Sequence, residues 1–234
     1  MTSTATPATL KQVLMVLTSH DTKGTTGEPT GFYLGELTRP LAELEAAGIP
    51  YELASIQGGE PPVDGLDFQD VVNLRYWTDL AFRERLSCTQ RLGDVNASKY
   101  SAIFFAGGHG AMWDFPTSPD VSRITREIYE AGGLVGAVCH GPAALVNVTL
   151  SSGAYLVTGK NVSAFTDDEE RAVSLDKVVP FLLASTLTQR GAHHHAAPDW
   201  NAKVVVDGRL VTGQNPQSAA GVGAAMRELL LHRN

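Results

Sequence analysis

Apolar positions fall into short uninterrupted runs that alternate with helical stripes. Residues 12–18 (QVLMVLT), 101–106 (SAIFFA) and 134–138 (LVGAV) are such runs, and runs of this kind predict strands buried on both faces, as in a parallel sheet. Residues 51–56 predict another strand. The segment 31–48 places Leu34, Leu37, Leu41 and Leu44 at steps of three and four and ends on Gly48, which predicts a helix with its stop signal. Pro40 offers a place for a kink. A second helix is expected over 118–131, opened by Ser118, Pro119 and Asp120. Pro142 is placed to open a third, through Ala143 to about Val148. Further along, strands are expected near 155–157 and 161–164, and a helix from about 175 to 189. A hairpin follows, with strands 203–206 and 209–211 around Asp207-Gly208, and then a last helix from about 216 to 232.

One segment interrupts this rhythm. Residues 57–99 open on the turn cluster GGEPPVDG and carry a helical stretch from about 78 to 92. They read as an arm inserted at the edge of the sheet, not as a separate domain. Residues 1–10 are rich in Thr, Ala and Ser, without a basic start or an apolar stretch; a short mobile tail is expected there, not a signal peptide. Residues 11–234 then form a single α/β domain with a mainly parallel sheet and helices on both faces. Sites in such sheets form at the carboxyl ends of strands. Three segments occupy such ends: the loop after Thr18, GGHG at 107–110 and CHGP at 139–142.

Composition agrees with this picture and narrows the function. Of 234 residues, 43% are hydrophobic and only 18% charged, with 23 glycines, which suits a chain with a sizeable core and many tight turns and argues against disorder. A net charge of −7 gives no footprint for nucleic acid or an anionic membrane. No apolar run approaches the roughly 18 residues of a membrane span. A cytoplasmic protein is expected. Cys88 and Cys139 form no metal or redox motif, and only the fold could bring them together as a disulfide; free thiols are the expectation.

Cys139 carries the strongest chemical signal. A strand turning sharply into a helix presents the intervening residue at a strained, exposed elbow. A thiol at a helix N-terminus is expected to ionise more readily than a free one. The competing reading is a buried, inert cysteine. At a turn, His140 can face the same cleft and shuttle protons, if a carboxylate orients it; taken alone, it is a packed or surface histidine. Gly107, Gly108 and Gly110 allow close approach of backbone to a ligand, and the Gly108 and His140 amides are candidate donors to a substrate oxygen. A plain turn explains the same glycines.

Taken together, QVLMVLTS, TGFYLGEL, IFFAGGHGAMWDFP, GGLVGAVCHGPAAL, VSAFTDDEE and DGRLVTGQNPQSA resemble the DJ-1/PfpI superfamily, in its branch of heat-shock protein 31 chaperones and glutathione-independent glyoxalases (glyoxalase III). The resemblance runs from about Val13 to Ala220 and implies a flavodoxin-like doubly wound fold. It also implies Cys139 as nucleophile, Glu36 as the acid that hydrogen-bonds its sulfur, His140 as the triad histidine and Glu170 as the carboxylate that orients it. Glu28 is a rival for Glu36, and Asp167, Asp168 and Glu169 crowd Glu170. His109 either lines the pocket or stabilises its turn. The implied reaction converts methylglyoxal or a related 2-oxoaldehyde to a 2-hydroxy acid, with a small-molecule substrate, no metal or organic cofactor, and a homodimer as the assembly. The run His193, His194, His195 has no counterpart in the resemblance. It reads as a polar loop before the hairpin, with pocket lining or an opportunistic metal site as alternatives. Two other functions stay open. One is a hydrolase or hydratase on the same elbow, although the H-x-E of a glutaminase is absent; the other is a non-enzymatic chaperone or thiol redox sensor.

Overall fold

The structure is a computed structural model that describes residues 12–232. The tail expected over 1–10 lies outside the described residues. In chain order the elements are β1 (Gln12–Leu17), β2 (Phe32–Tyr33), α1 (Leu34–Ala46), β3 (Tyr51–Ser55), β4 (Val63–Asp64), α2 (Val71–Thr78), α3 (Leu80–Ser87), β5 (Gln90–Arg91), β6 (Tyr100–Phe105), α4 (Ala111–Asp114), α5 (Pro119–Glu130) and β7 (Leu134–Val138). After a 3-10 turn at Gly141–Leu145 come β8 (Asn161–Val162), α6 (Asp167–Ala172), α7 (Leu183–Gln189), β9 (His193–His194), β10 (Val204–Asp207), β11 (Leu210–Gly213) and α8 (Ala219–Leu231).

Seven strands form one sheet in the order β10-β11-β7-β6-β1-β3-β5. Every pairing in it is parallel except β10 with β11, the expected hairpin. Side chains of β1 alternate between two cores: Val13, Met15 and Leu17 face the layer of α1 and α8, while Leu14 and Val16 face the layer of α5. The chain leaves β1 for β3 on one side and returns to β6 on the other. The strand order therefore reverses beside β1, where the carboxyl ends of open α/β sheets bind ligands. Both GGHG after β6 and CHGP after β7 lie at that end. Among the described residues, no helix is long and apolar enough to cross a membrane.

Several sequence expectations need correction. The helix expected over 78–92 is shortened to α3, Leu80–Ser87, because Asp79 takes an extended backbone and caps it through Ala81 N and Phe82 N; α2, capped by Asp70, lies before that stretch and was not expected. Beyond α3, Thr89 bonds Ser55 and Gly59, and Gln90–Arg91 joins the sheet edge as β5. No strand forms at 155–157. Leu156 and Val157 are buried in turns, tied by Leu156 N to Val148 O at 2.8 Å, so their apolar character reflects burial of a loop. The helix expected from 175 starts only at Leu183, since Pro180 removes a donor and restricts the residue before it. The strand at 161–164 shrinks to Asn161–Val162, and the segment after Pro142 is a short 3-10 turn.

Helices α1 and α8 pack closely because Gly223 has no side chain. A Cβ there would lie 2.6 Å from Pro40 Cα and 3.3 Å from Glu43 Cβ. Gly223→Ala is therefore expected to destabilise the fold by about 1–3 kcal/mol. A urea titration would show a lower midpoint at unchanged slope.

Candidate active site

Cys139 directly follows β7 and has φ 60°, a left-handed backbone costly for a non-glycine residue. Its backbone is held on both sides: the N–H donates to Gly213 O at 2.9 Å and the carbonyl accepts from Phe165 N at 3.0 Å. The next turn requires glycine, because a Cβ on Gly141 would lie 2.3 Å from Phe105 O. The elbow is thus strained as expected, but it is not exposed: Cys139 is only 4% accessible.

Around the sulfur, groups distant in sequence converge. Cys139 Sγ lies 3.4 Å from His140 Nδ1, and His140 Nε2 lies 2.7 Å from Glu170 Oε2. The other Glu170 oxygen, Oε1, lies 2.9 Å from His109 Nε2, so one carboxylate serves two imidazoles. Burial alone would raise the Glu170 carboxyl. The hydrogen bonds from His109 and then His140 outweigh it and hold the group down to about 2. An ionised carboxylate only accepts, so His140 carries its proton on Nε2 and turns the Nδ1 lone pair toward the thiol. Burial, reinforced by the neighbouring His109, lowers His140 to about 4. At neutral pH it is an uncharged acceptor.

Glu36 enters from the first turn of α1. It is fully buried, and neither carboxyl oxygen has a well-formed hydrogen bond. Burial raises it to about 8, which its interactions with the Cys139 thiol and the Gly107 amide offset only in part. Gly107 must lack a side chain here: a Cβ would lie 2.3 Å from Glu36 Oε2 and 2.8 Å from His140 N.

The expectation of a thiol that ionises readily is overturned. Burial first, then the charge and hydrogen bond of Glu36, push the Cys139 thiol well above its ordinary value, against the pull of the His140 amide. The helix expected beyond the cysteine is only a five-residue 3-10 turn, too short to supply the field of a full α-helix. The resting site is a neutral thiol between a protonated acid and a neutral imidazole.

The rival carboxylates lie elsewhere. Glu28 is exposed and 3.9 Å from Lys23; Asp168 pairs with Arg171, Asp167 binds Ser185, and buried Glu169 accepts from Trp200 N at 2.9 Å. Gly108, with φ 99°, turns the chain tightly against Gly31 O and Tyr33 N, and its carbonyl accepts from Ala111 N. The loop after Thr18 is tied to α4, with Thr18 Oγ1 and Ser19 N both donating to Asp114 Oδ2. Cys88 and Cys139 are free, one exposed and one buried. The histidine run is not a plain loop: His193 and His194 pair in parallel with Asn161 and Val162, and His195 Nε2 lies 2.7 Å from Asn161 Oδ1. Among the described residues, metal-ligand spacing occurs at His109, His140 and Glu170, whose ligand atoms lie within 4.8 Å of one another. An ion there would have to displace both histidine–carboxylate hydrogen bonds.

Sequence reasoning missed the bond between His109 and Glu170, which spans 61 positions. It also missed Phe165, whose ring lies 4.3 Å from that of His140, and Trp200, 5.8 Å from Phe165. An unusual tryptophan in a polar loop is the only local signal for the last.

A model described as the DJ-1/PfpI family matches residues 29–228. The glutathione-independent glyoxalase HSP31 of Saccharomyces cerevisiae is 33% identical over 222 residues, covering 89% of this chain and 93% of that protein. The X-ray structure of the Rapid Encystment Protein 24 kDa of Francisella tularensis superposes with TM-score 0.91 at 40% identity, over 94% of this chain and 99% of that one. The crystal structure of glyoxalase III from Candida albicans gives TM-score 0.84 at 29% identity, over 93% and 96% of the respective chains.

Proposed function

The chain belongs to the DJ-1/PfpI family, and from that premise we propose that it is a glutathione-independent glyoxalase, converting methylglyoxal or a related 2-oxoaldehyde to the 2-hydroxy acid through a hemithioacetal on Cys139. The observation that carries the reading is the placement of one thiol between two complementary proton carriers, Glu36 charged with a proton and His140 ready to take one.

In the first step the sulfur attacks the aldehyde carbon. His140 Nδ1 takes the thiol proton, Glu36 gives its proton to the aldehyde oxygen, and the imidazolium that forms is balanced by Glu170. Glu36, now a carboxylate, removes the hydrogen from the former aldehyde carbon. A carboxylate of pKa about 8 is a far stronger base than an imidazole of about 4. His140 meanwhile protonates the ketone oxygen, giving an enediol. Glu36 then returns the proton to the second carbon, and His140 takes the proton from the first hydroxyl, leaving a thioester. Water adds to that thioester: Glu36 accepts the proton from water, the C–S bond breaks, and His140 protonates the departing sulfur. Every group ends as it began. Thus Glu36 carries the protons of carbon and water and the one given to the aldehyde oxygen, and His140 those of sulfur, the ketone oxygen and the first hydroxyl. Developing charge on the substrate oxygen is met by the Gly108 and His140 amides.

Burial favours this reading over a redox sensor, which needs an accessible, readily ionised thiol. Apolar side chains exposed on the arm, including Leu66, Phe68, Val71 and Leu74, support a homodimer as part of the same proposal. Incubation with methylglyoxal, without glutathione, is expected to yield lactate. Turnover of amides or peptides with no lactate would replace the proposal by a hydrolase.

A further inference from the structure

Beyond the reacting groups, the structure spends polar interactions on a loop with no reacting group of its own. Trp200 has φ 63° and remains 41% exposed, a combination that a bulky aromatic residue rarely adopts without a reason. A buried array holds the loop in that shape. Glu169 Oε1 accepts from Trp200 N at 2.9 Å, Asn215 Nδ2 at 2.8 Å and Gln214 Nε2 at 3.1 Å. Asn215 Nδ2 also donates to Asn201 O, while Gln214 Oε1 accepts from Ala197 N and its Nε2 donates to Ala197 O. Glu169, Gln214 and Asn215 are all fully buried. The Trp200 ring stands edge-on to Phe165, at 63° and 5.8 Å, and Phe165 lies against His140 at 4.3 Å. A row of ring contacts therefore runs outward from His140, through buried Phe165, to the half-exposed Trp200.

We propose that Phe165 and Trp200 form a subsite for the substituent of the oxoaldehyde, selecting substrates that carry a flat apolar group on the ketone carbon. This inference rests on the glyoxalase reading. A methyl group is too small to cover such a wall, whereas a phenyl ring gains edge or offset contact with it. The hydrogen bonds of Glu169 fix the loop before substrate arrives, so no ordering of the tryptophan is required on binding.

The test compares phenylglyoxal with methylglyoxal in the wild type, in Trp200→Gly, where glycine suits the left-handed backbone and removes the ring, and in Trp200→Phe, which keeps one. Glycine is expected to lower kcat/KM for phenylglyoxal about tenfold while methylglyoxal stays within about twofold. Phenylalanine is expected to restore most of the phenylglyoxal value. An equal loss on both substrates, or no loss on either, overturns the subsite and leaves the glyoxalase reading standing. Equal loss together with a changed elution volume in size-exclusion chromatography would show instead that Trp200 joins two copies of the chain, which also overturns it. If the wild type turns over neither aldehyde, the glyoxalase reading falls and the subsite falls with it.

Discussion

Cys139→Ser should leave a folded protein whose lactate formation from methylglyoxal has fallen by about four orders of magnitude or more. The substitution preserves shape closely: the hydroxyl still lies beside His140 Nδ1 and the Glu36 carboxyl, at a position where the thiol is only 4% accessible. The leaving group and the nucleophile are lost. An alcohol adds to the aldehyde but passes to an ester, not a thioester, and its proton is far harder for an imidazole of pKa about 4 to remove. Folding should barely respond. The left-handed backbone at this position is held by Gly213 O and Phe165 N, independent of the side chain, so the change in unfolding free energy should stay within about 1 kcal/mol. Activity and a thermal unfolding curve, measured on the same preparation, check both halves. Retention of more than about a hundredth of wild-type turnover in the serine variant would remove Cys139 from the chemistry.

The parts of this site are legible in the sequence to different degrees, for physical reasons. Strand β7 and its Cys-His-Gly-Pro turn are written locally, in an unbroken apolar run and a proline, so the elbow can be placed without long-range knowledge. Choosing Glu170 over its neighbours depends on the family resemblance. Only the helical register of α6 explains it, burying Glu169 and Glu170 while Asp168 faces solvent. The protonation of the sulfur is not legible, and the expectation for it fails. It depends on how deeply Glu36, a hundred positions away in the chain, is buried beside it, and burial of one side chain by another element is a tertiary property. The arm shows the same limit. Helix α2 lies before the helical stretch expected there, and Asp70 and Asp79 show their role as caps only in the folded backbone.

Glu36→Gln should give a protein more stable than the wild type near pH 8 and nearly inactive. In the unfolded chain this carboxyl titrates at its ordinary 4.5, and in the folded protein at about 8. Between those values the native state keeps a proton that the unfolded state has released. Wild-type stability therefore declines as pH rises through this window and levels off above it. The relative advantage of the acid is complete below about 4.5 and gone by about 8, a swing on the order of a few kcal/mol. Glutamine has the same shape and no proton to lose, so the difference in unfolding free energy between variant and wild type should grow with pH across that interval. Subtracting the two curves cancels the titrations they share, such as that of His140. Activity moves the other way. An amide cannot carry the proton between the two substrate carbons, and loss of that shuttle should lower kcat by about a hundred- to ten-thousand-fold. Losing function while gaining stability is the signature of a group held in an unfavourable place for its chemistry. Parallel stability curves, or kcat within about threefold of wild type, would assign the carbon proton to another residue.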